Sequence, residues 1–329
     1  MKASITAIGH YLPKKILSNA DLEKMIDTTD EWIFTRSGIK ERRIAEDSCT
    51  SELAINAFND MQKKFNVDPS DVELIILGTL SPDYVFPATA CVVQDAIGAK
   101  KAAAFDLMAA CSSFVYSLEV AAKFIETKKY KKILVFGSDN TTAFINFEDR
   151  GTCILFGDGA GCALVEPSEE YGLIDSILYA DGAGIKHLLI PGGGSKIKAS
   201  SETINKKLHY FFQDGQALFK EAVKGMANVS LEILEKNKLT GDDIKWLIPH
   251  QANIRIIDAT AKKCNIPDER VMKTIKYFGN SCAGTIPICL STGYEEGLFN
   301  TGDMLLLTAF GGGFAWGANL LKWEIPKVK

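Results

Sequence analysis

Apolar positions along the chain follow two kinds of pattern. Over residues 51–64 and 219–236 they recur at helical spacing, as in Leu53, Ala57 and Met61 or Val223, Met226 and Ile233. This predicts helices with one buried face. Breakers follow, Asp68-Pro69 and Thr240-Gly241, and then short apolar runs within 71–76 and 243–248. Two more runs, 132–137 and 304–309, end in glycine-rich sequence. Runs without polar alternation suit strands of sheets covered on both faces.

The chain also matches itself. Asp71-Val72-Glu73-Leu74-Ile75-Ile76 reads like Asp243-Ile244-Lys245-Trp246-Leu247-Ile248, an offset of 172 residues. The same offset carries Ile133-Leu134-Val135 onto Leu305-Leu306-Leu307, and Cys111 onto Ala283. The expectation is an α/β protein of two similar halves. An N-terminal half spans residues 1–170 and a C-terminal half 171–329, with the polar stretch 166–170 marking the change.

Composition narrows the class. The 329 residues are 47% hydrophobic and 24% charged, with a net charge of −4. These values exclude a disordered or fibrous chain, and they disfavour a nucleic-acid protein held by bulk positive charge. No apolar run approaches the length needed to span a bilayer, and Met1-Lys2-Ala3-Ser4-Ile5 reads as a first strand rather than a signal peptide. The eight cysteines, at 49, 91, 111, 153, 162, 264, 282 and 289, show no metal-binding spacing. The expectation is a cytosolic location with reduced thiols, most of them buried.

Three positions could carry chemistry. Cys111 stands in a small-residue turn, Ala109-Ala110-Cys111-Ser112, before an apolar helix over about 112–125. A helix N-terminus stabilises thiolate, although a buried cysteine at a tight turn fits the same pattern. His250 ends an apolar strand, where α/β proteins place ligands, but it could instead cap the next helix. Asn280 lies in Gly279-Asn280-Ser281, a common loop sequence. The duplication places this turn opposite the Cys111 turn, so a pseudo-twofold axis could gather Cys111, His250 and Asn280. The backbone amides of the Gly311-Gly312-Gly313 run could hold an oxyanion.

Ala110-Cys111-Ser112, Phe156-Gly157-Asp158-Gly159-Ala160-Gly161, His250-Gln251-Ala252-Asn253, Gly279-Asn280-Ser281 and Ala309-Phe310-Gly311-Gly312-Gly313-Phe314 occur in this order. Together they resemble the β-ketoacyl-acyl-carrier-protein synthase III family, the initiating condensing enzymes of type II fatty-acid synthesis. The resemblance runs from Ile8-Gly9 to Trp316-Gly317. It implies a thiolase fold with duplicated halves in a five-layer αβαβα arrangement. It further implies a homodimer, acyl-CoA and malonyl-acyl carrier protein as substrates, and neither metal nor organic cofactor.

Carried over by resemblance, Cys111, His250 and Asn280 are the catalytic set, and the amides of Cys111 and Gly312 form the oxyanion hole. Trp32, Arg36, Arg150 and Asn253 fall at CoA-binding positions. Phe86 (from the partner subunit), Thr141, Phe156 and Phe310 fall around the acyl pocket. Lys220, Arg255, Lys262 and Lys263 fall on the carrier-protein patch. Thr141 stands where acetyl-selective relatives carry a larger apolar residue, which suggests room for longer or branched primers. Rivals remain. A related condensing enzyme would join other acyl thioesters, a cysteine hydrolase would release free acid, and a scaffold would leave Cys111 unreactive.

Overall fold

In the computed structural model, which describes residues 1–327, the apolar runs become the inner strands of two sheets. The first sheet contains β1 (Lys2–Tyr11), β2 (Leu74–Gly78), β3 (Ala103–Leu107), β4 (Ile133–Asp139) and β5 (Gly159–Ser168), in the order β1-β5-β4-β2-β3. Strands β4, β2 and β3 are parallel, and β5 is antiparallel to β1 and β4. The second sheet contains β6 (Gly172–Ala180), β7 (Trp246–Pro249), β8 (Met304–Gly311) and β9 (Ala315–Lys322), in the order β7-β8-β9-β6. Here β7 and β8 are parallel and the other pairs antiparallel. The partner that β3 gives to β2 shrinks in the second sheet to one bridge, Leu247 to Val271.

The helices used below are α1 (Asp30–Ser37), α2 (Thr50–Phe65), α3 (Thr89–Ala96), α4 (Ser113–Glu126), α5 (Gly215–Lys236), α6 (Ile254–Lys263) and α7 (Thr285–Glu295). Helices α4 and α7 lie between the sheets. Phe114, Val115 and Leu118 of one pack with Ile286, Cys289 and Leu290 of the other, against Ile76, Val135, Leu305 and Leu307. Leu53, Phe58 and Val93 of α2 and α3 cover the outer face of the first sheet. Val229, Ile233 and Ile257 of α5 and α6 cover that of the second. The result is five layers, αβαβα, with the largest apolar cluster in the middle layer.

The offset of 172 residues recurs in the backbone. The turn Pro69–Asp71 answers Gly241–Asp243, and α4 starts at Ser113 where α7 starts at Thr285. Immediately before these helices, Ala110 has φ 47° and Cys282 φ 49°. Left-handed backbone is costly for a residue with a side chain, so the same unusual turn stands in both copies. Helix α5 begins four residues before the apolar pattern, at Gly215, because the Asp214 carboxylate accepts from the Ala217 amide (3.2 Å) and caps it.

Two glycines let the halves interlock. A Cβ on Gly137 of β4 would lie 2.1 Å from the Ala283 carbonyl oxygen, and one on Gly311 of β8 would lie 2.7 Å from the Cys111 amide nitrogen. Each half's glycine-bearing strand end thus receives the other half's turn.

Candidate active site

The sulfur of Cys111 sits on the short turn Ala110–Ser112 that leads into α4. Side chains around it fix this turn. Ser113 Oγ donates to the Ala110 carbonyl (2.7 Å) and accepts from the Ala109 amide (2.9 Å), while Ser112 Oγ donates to the Ala315 carbonyl (2.8 Å). His250 follows β7, and its amide donates to the Thr308 carbonyl of β8 (2.8 Å). Asn280 is bridged to Phe156. Cys111, His250 and Asn280 are all buried, and all three line one cavity together with Phe156, Phe310 and Asn253. His250 does not cap the following helix, because Asn253 does, accepting from the Arg255 amide (3.0 Å).

Hydrogen bonds fix which atoms remain for a substrate. Asn280 Oδ1 accepts from the Cys282 amide (2.9 Å), which orients the carboxamide. Its Nδ2, with two protons to donate, has no partner among the described residues. Thr285 Oγ1 lies 2.7 Å from His250 Nδ1 and 3.1 Å from the Cys282 carbonyl. The hydroxyl gives its one proton to the Cys282 carbonyl, which can only accept, and its oxygen holds the His250 ring through Nδ1. That leaves His250 Nε2 and Asn280 Nδ2 as the nitrogens of these two side chains not engaged by Thr285 or Cys282.

The sulfur itself is biased toward thiolate. Cys282 Sγ lies 3.0 Å from Cys111 Sγ. A hydrogen bond from Cys282, then the charge and hydrogen bond of His250, hold the Cys111 thiol well below its ordinary range despite burial. Cys282 moves the other way. Burial, the Cys111 sulfur and the Asp139 carboxylate push it well above the ordinary range. Asp139 is enclosed. Its Oδ1 accepts from Thr79 Oγ1 (2.8 Å), the Leu80 and Ser81 amides (2.8 and 3.1 Å) and Ser81 Oγ (2.8 Å). Its Oδ2 accepts from the Ala283 amide (2.9 Å). Burial raises its carboxyl to about 6.

The other predicted positions divide. Arg36 and Arg150 each place a guanidinium carbon 4.7 Å from the Trp32 ring centre. Asn253 Nδ2 donates to the Arg36 carbonyl (2.8 Å), which links that cluster to the cavity. Lys220, Arg255, Lys262 and Lys263 are exposed on α5 and α6, and Arg255 lies 4.8 Å over Phe219, a cavity-lining ring. Gly312 lines a neighbouring cavity with Ala109 and Ala110. Thr141 is buried, donates to the Gly157 carbonyl (2.9 Å) and is not itself among the residues lining the Cys111 cavity. Phe86 is 88% exposed. Sequence reasoning did not single out Cys282, Thr285, Asp139 or the lining residue Gln213. Only Cys282 carried a signal, as the Ala110 counterpart at the offset of 172.

One further cluster, His10, Asp60 and Glu295, has metal-ligating geometry. Lys64 already occupies it, paired with Asp60 (2.5 Å) and with Glu295. Burial lowers His10 from its ordinary value. No helix among the described residues is long and apolar enough to cross a membrane.

Fold and site define an acyltransferase of the thiolase-fold condensing class. Family models for 3-oxoacyl-[acyl-carrier-protein] synthase III match residues 105–182, and for its C-terminal part residues 234–323. The chain is 50% identical to the β-ketoacyl-[acyl-carrier-protein] synthase III of Chlorobium chlorochromatii, over 98% of this chain and 100% of that one. It is 49% identical to that of Porphyromonas gingivalis W83, over 98% and 97%. The crystal structure of 3-oxoacyl-[acyl-carrier-protein] synthase III from Aquifex aeolicus superposes with a TM-score of 0.90 at 43% identity, covering 98% of this chain and all of that one. The chain belongs to the β-ketoacyl-[acyl-carrier-protein] synthase III family, the condensing enzymes that initiate fatty-acid synthesis.

Proposed function

We propose that Cys111 carries the acyl group from acyl-CoA and that His250 and Asn280 act on malonyl-acyl carrier protein. One observation carries this reading: a single cavity holds a sulfur biased toward thiolate, a histidine whose Nδ1 is already bonded and an asparagine whose Oδ1 is already bonded. The Cys111 thiolate attacks the thioester carbonyl, and the amides of Cys111 and Gly312 receive the oxyanion as CoA leaves. Malonyl thioester then loses carbon dioxide. His250 Nε2 and Asn280 Nδ2 donate to its carbonyl oxygen as the enolate forms, and the carbanion attacks acyl-Cys111 to release β-ketoacyl product. The first half supplies the nucleophile and the second half the donors. These steps call on no metal or organic cofactor.

CoA fits the path from Asn253 to Trp32, where an adenine can stack between ring and guanidinium and Arg36 can pair with phosphate. Lys220, Arg255, Lys262 and Lys263 suit an acidic carrier protein. Tyr84, Val85, Phe86 and Met108 are 59%, 96%, 88% and 70% exposed, near β3, the edge of the first sheet. An apolar patch on a sheet edge suits a second copy of the chain, and Phe86 would reach the acyl pocket from that copy, beside Thr141, Phe156 and Phe310. Primers longer or more branched than acetyl, and a cytosolic setting, complete the reading.

The test is intact-mass spectrometry with peptide mapping after adding straight and branched acyl-CoAs. The expected result is an acyl adduct on Cys111 that malonyl-acyl carrier protein discharges as β-ketoacyl product appears. An adduct that only hydrolyses, or none with any acyl-CoA, overturns the reading.

A further inference from the structure

Six of the eight cysteines are buried. Four of these, Cys153, Cys162, Cys264 and Cys289, have thiols raised by burial. None of these four has a sulfur neighbour within hydrogen-bond reach among the described residues. Cys282 differs. Its sulfur lies 3.0 Å from Cys111 Sγ, the only such sulfur pair among the described residues. The two come from opposite halves, each on the left-handed turn that precedes a central helix. The condensation proposed above gives Cys282 no bond to make or break.

We propose that Cys282 is the resolving partner of Cys111, so that peroxide converts the pair into a reversible disulfide between the two halves. The separation of the two sulfurs is close to what the bond needs. Closing 3.0 Å to a disulfide of about 2.05 Å asks for a movement of about 1 Å. The residues around the pair are small, Ala109, Ala110, Ala283 and Gly284, so neither turn carries a bulky side chain that must move. Cys111 lines the cavity and is reachable by a small oxidant, and its bias toward thiolate makes it the sulfur that reacts first.

The chemistry balances. Cys111 thiolate attacks one oxygen of hydrogen peroxide, the O–O bond breaks, and hydroxide leaves the Cys111 sulfenic acid behind. The Cys282 thiol then attacks that sulfur. The S–S bond forms, the S–O bond breaks, and the Cys282 proton leaves with the oxygen as water. Two thiols and one peroxide give one disulfide and two waters. A dithiol reductant reverses the change by exchange: one of its thiolates breaks the protein S–S bond to form a mixed disulfide, its second thiolate displaces the remaining protein sulfur, and Cys111 and Cys282 return as thiols while the reductant becomes the disulfide. In the closed form Cys111 cannot accept an acyl group, and it is protected from further oxidation to sulfinic acid. The inference needs only the two sulfurs and stands whether or not Cys111 is the acyl carrier.

The test treats the whole protein with hydrogen peroxide, blocks free thiols with iodoacetamide and maps the peptides. The expected product joins the peptides containing Cys111 and Cys282, about 2 Da below the sum of the two. Dithiothreitol should remove it and restore labelling of Cys111. In Cys282→Ser and Cys282→Ala, the same treatment should leave Cys111 as sulfinic acid, a gain of about 32 Da that dithiothreitol does not reverse. In Cys282→Ser, whose hydroxyl can still donate to the Cys111 sulfur, that product should form at least roughly tenfold faster than in the parent protein, where the neighbouring thiol intercepts the sulfenic acid. Overoxidation of Cys111 in the parent at the variants' rate, with no cross-linked peptide, overturns the proposal. The parent map decides the matter alone if a variant fails to fold.

Discussion

The turns at Ala110–Ser112 and Cys282–Gly284 are the same piece of backbone used twice. Both carry a left-handed residue, φ 47° and 49°, both run into a helix of the middle layer, and both are admitted by a glycine on the opposite half's strand. Their side chains have diverged. The first turn presents a sulfur to the cavity. The second turns its amides inward, to Asn280 Oδ1 and to Asp139. The lesson is that the duplicated backbone delivers position, and single side chains assign the role.

The strongest way to break the comparison is to fill the space that admits each turn. Gly137→Ala puts a methyl 2.1 Å from a backbone oxygen, which cannot move aside as a flexible side chain would. A loss of about 3 kcal/mol in urea unfolding is expected. Gly311→Ala, at 2.7 Å from the Cys111 amide, should cost less stability and show chiefly as slower acylation of Cys111.

Removing the donors sharpens the division of labour. His250→Ala and Asn280→Ala should each lower condensation by about 100- to 1000-fold, while acyl transfer from CoA to Cys111 falls less. Equal losses in both half-reactions, followed by burst kinetics, would contradict the split between halves.

A third test concerns the carboxylate that the second turn leans on. Burial raises Asp139 to about 6 from 3.8, so the folded protein keeps a proton that the unfolded chain has released. Its contribution to stability is complete below about pH 4 and is lost as pH rises through 6. The change is on the order of 3 kcal/mol. Urea titrations across that window should show this decline, and Asp139→Asn should flatten it.

The smallest effect is expected at the surface. Arg255→Glu should raise KM for malonyl-acyl carrier protein about three- to tenfold at low salt, and less at high salt, with kcat unchanged.

Much of the architecture was legible in the chain. The offset of 172 residues marked both copies, the apolar pattern at 51–64 falls within α2, and that at 132–137 starts one residue before β4. Periodicity reports which face a segment buries, and that is a local property. The early start of α5 escaped because a capping carboxylate, Asp214, not an apolar position, sets it. The edge of the second sheet escaped because it is one bridge at Val271. Within the site, Cys111, His250 and Asn280 stood in ordered motifs. Asp139 and the Cys282 sulfur act only through distances of about 3 Å across the two halves, and Thr285 through one of 2.7 Å within the second half, and no linear spacing encodes those.

The join between the sheets has a consequence for how such a site can persist. Strand β5 ends at Ser168 and β6 begins at Gly172, so Glu169, Glu170 and Tyr171 alone tether two units that share one middle layer. A short tether raises the local concentration of each unit around the other to the millimolar range or above. Docking of the nucleophile's half on the half that carries His250 and Asn280 is therefore independent of how much protein the cell makes. Two copies that once had to match can drift apart in sequence while remaining obligate neighbours.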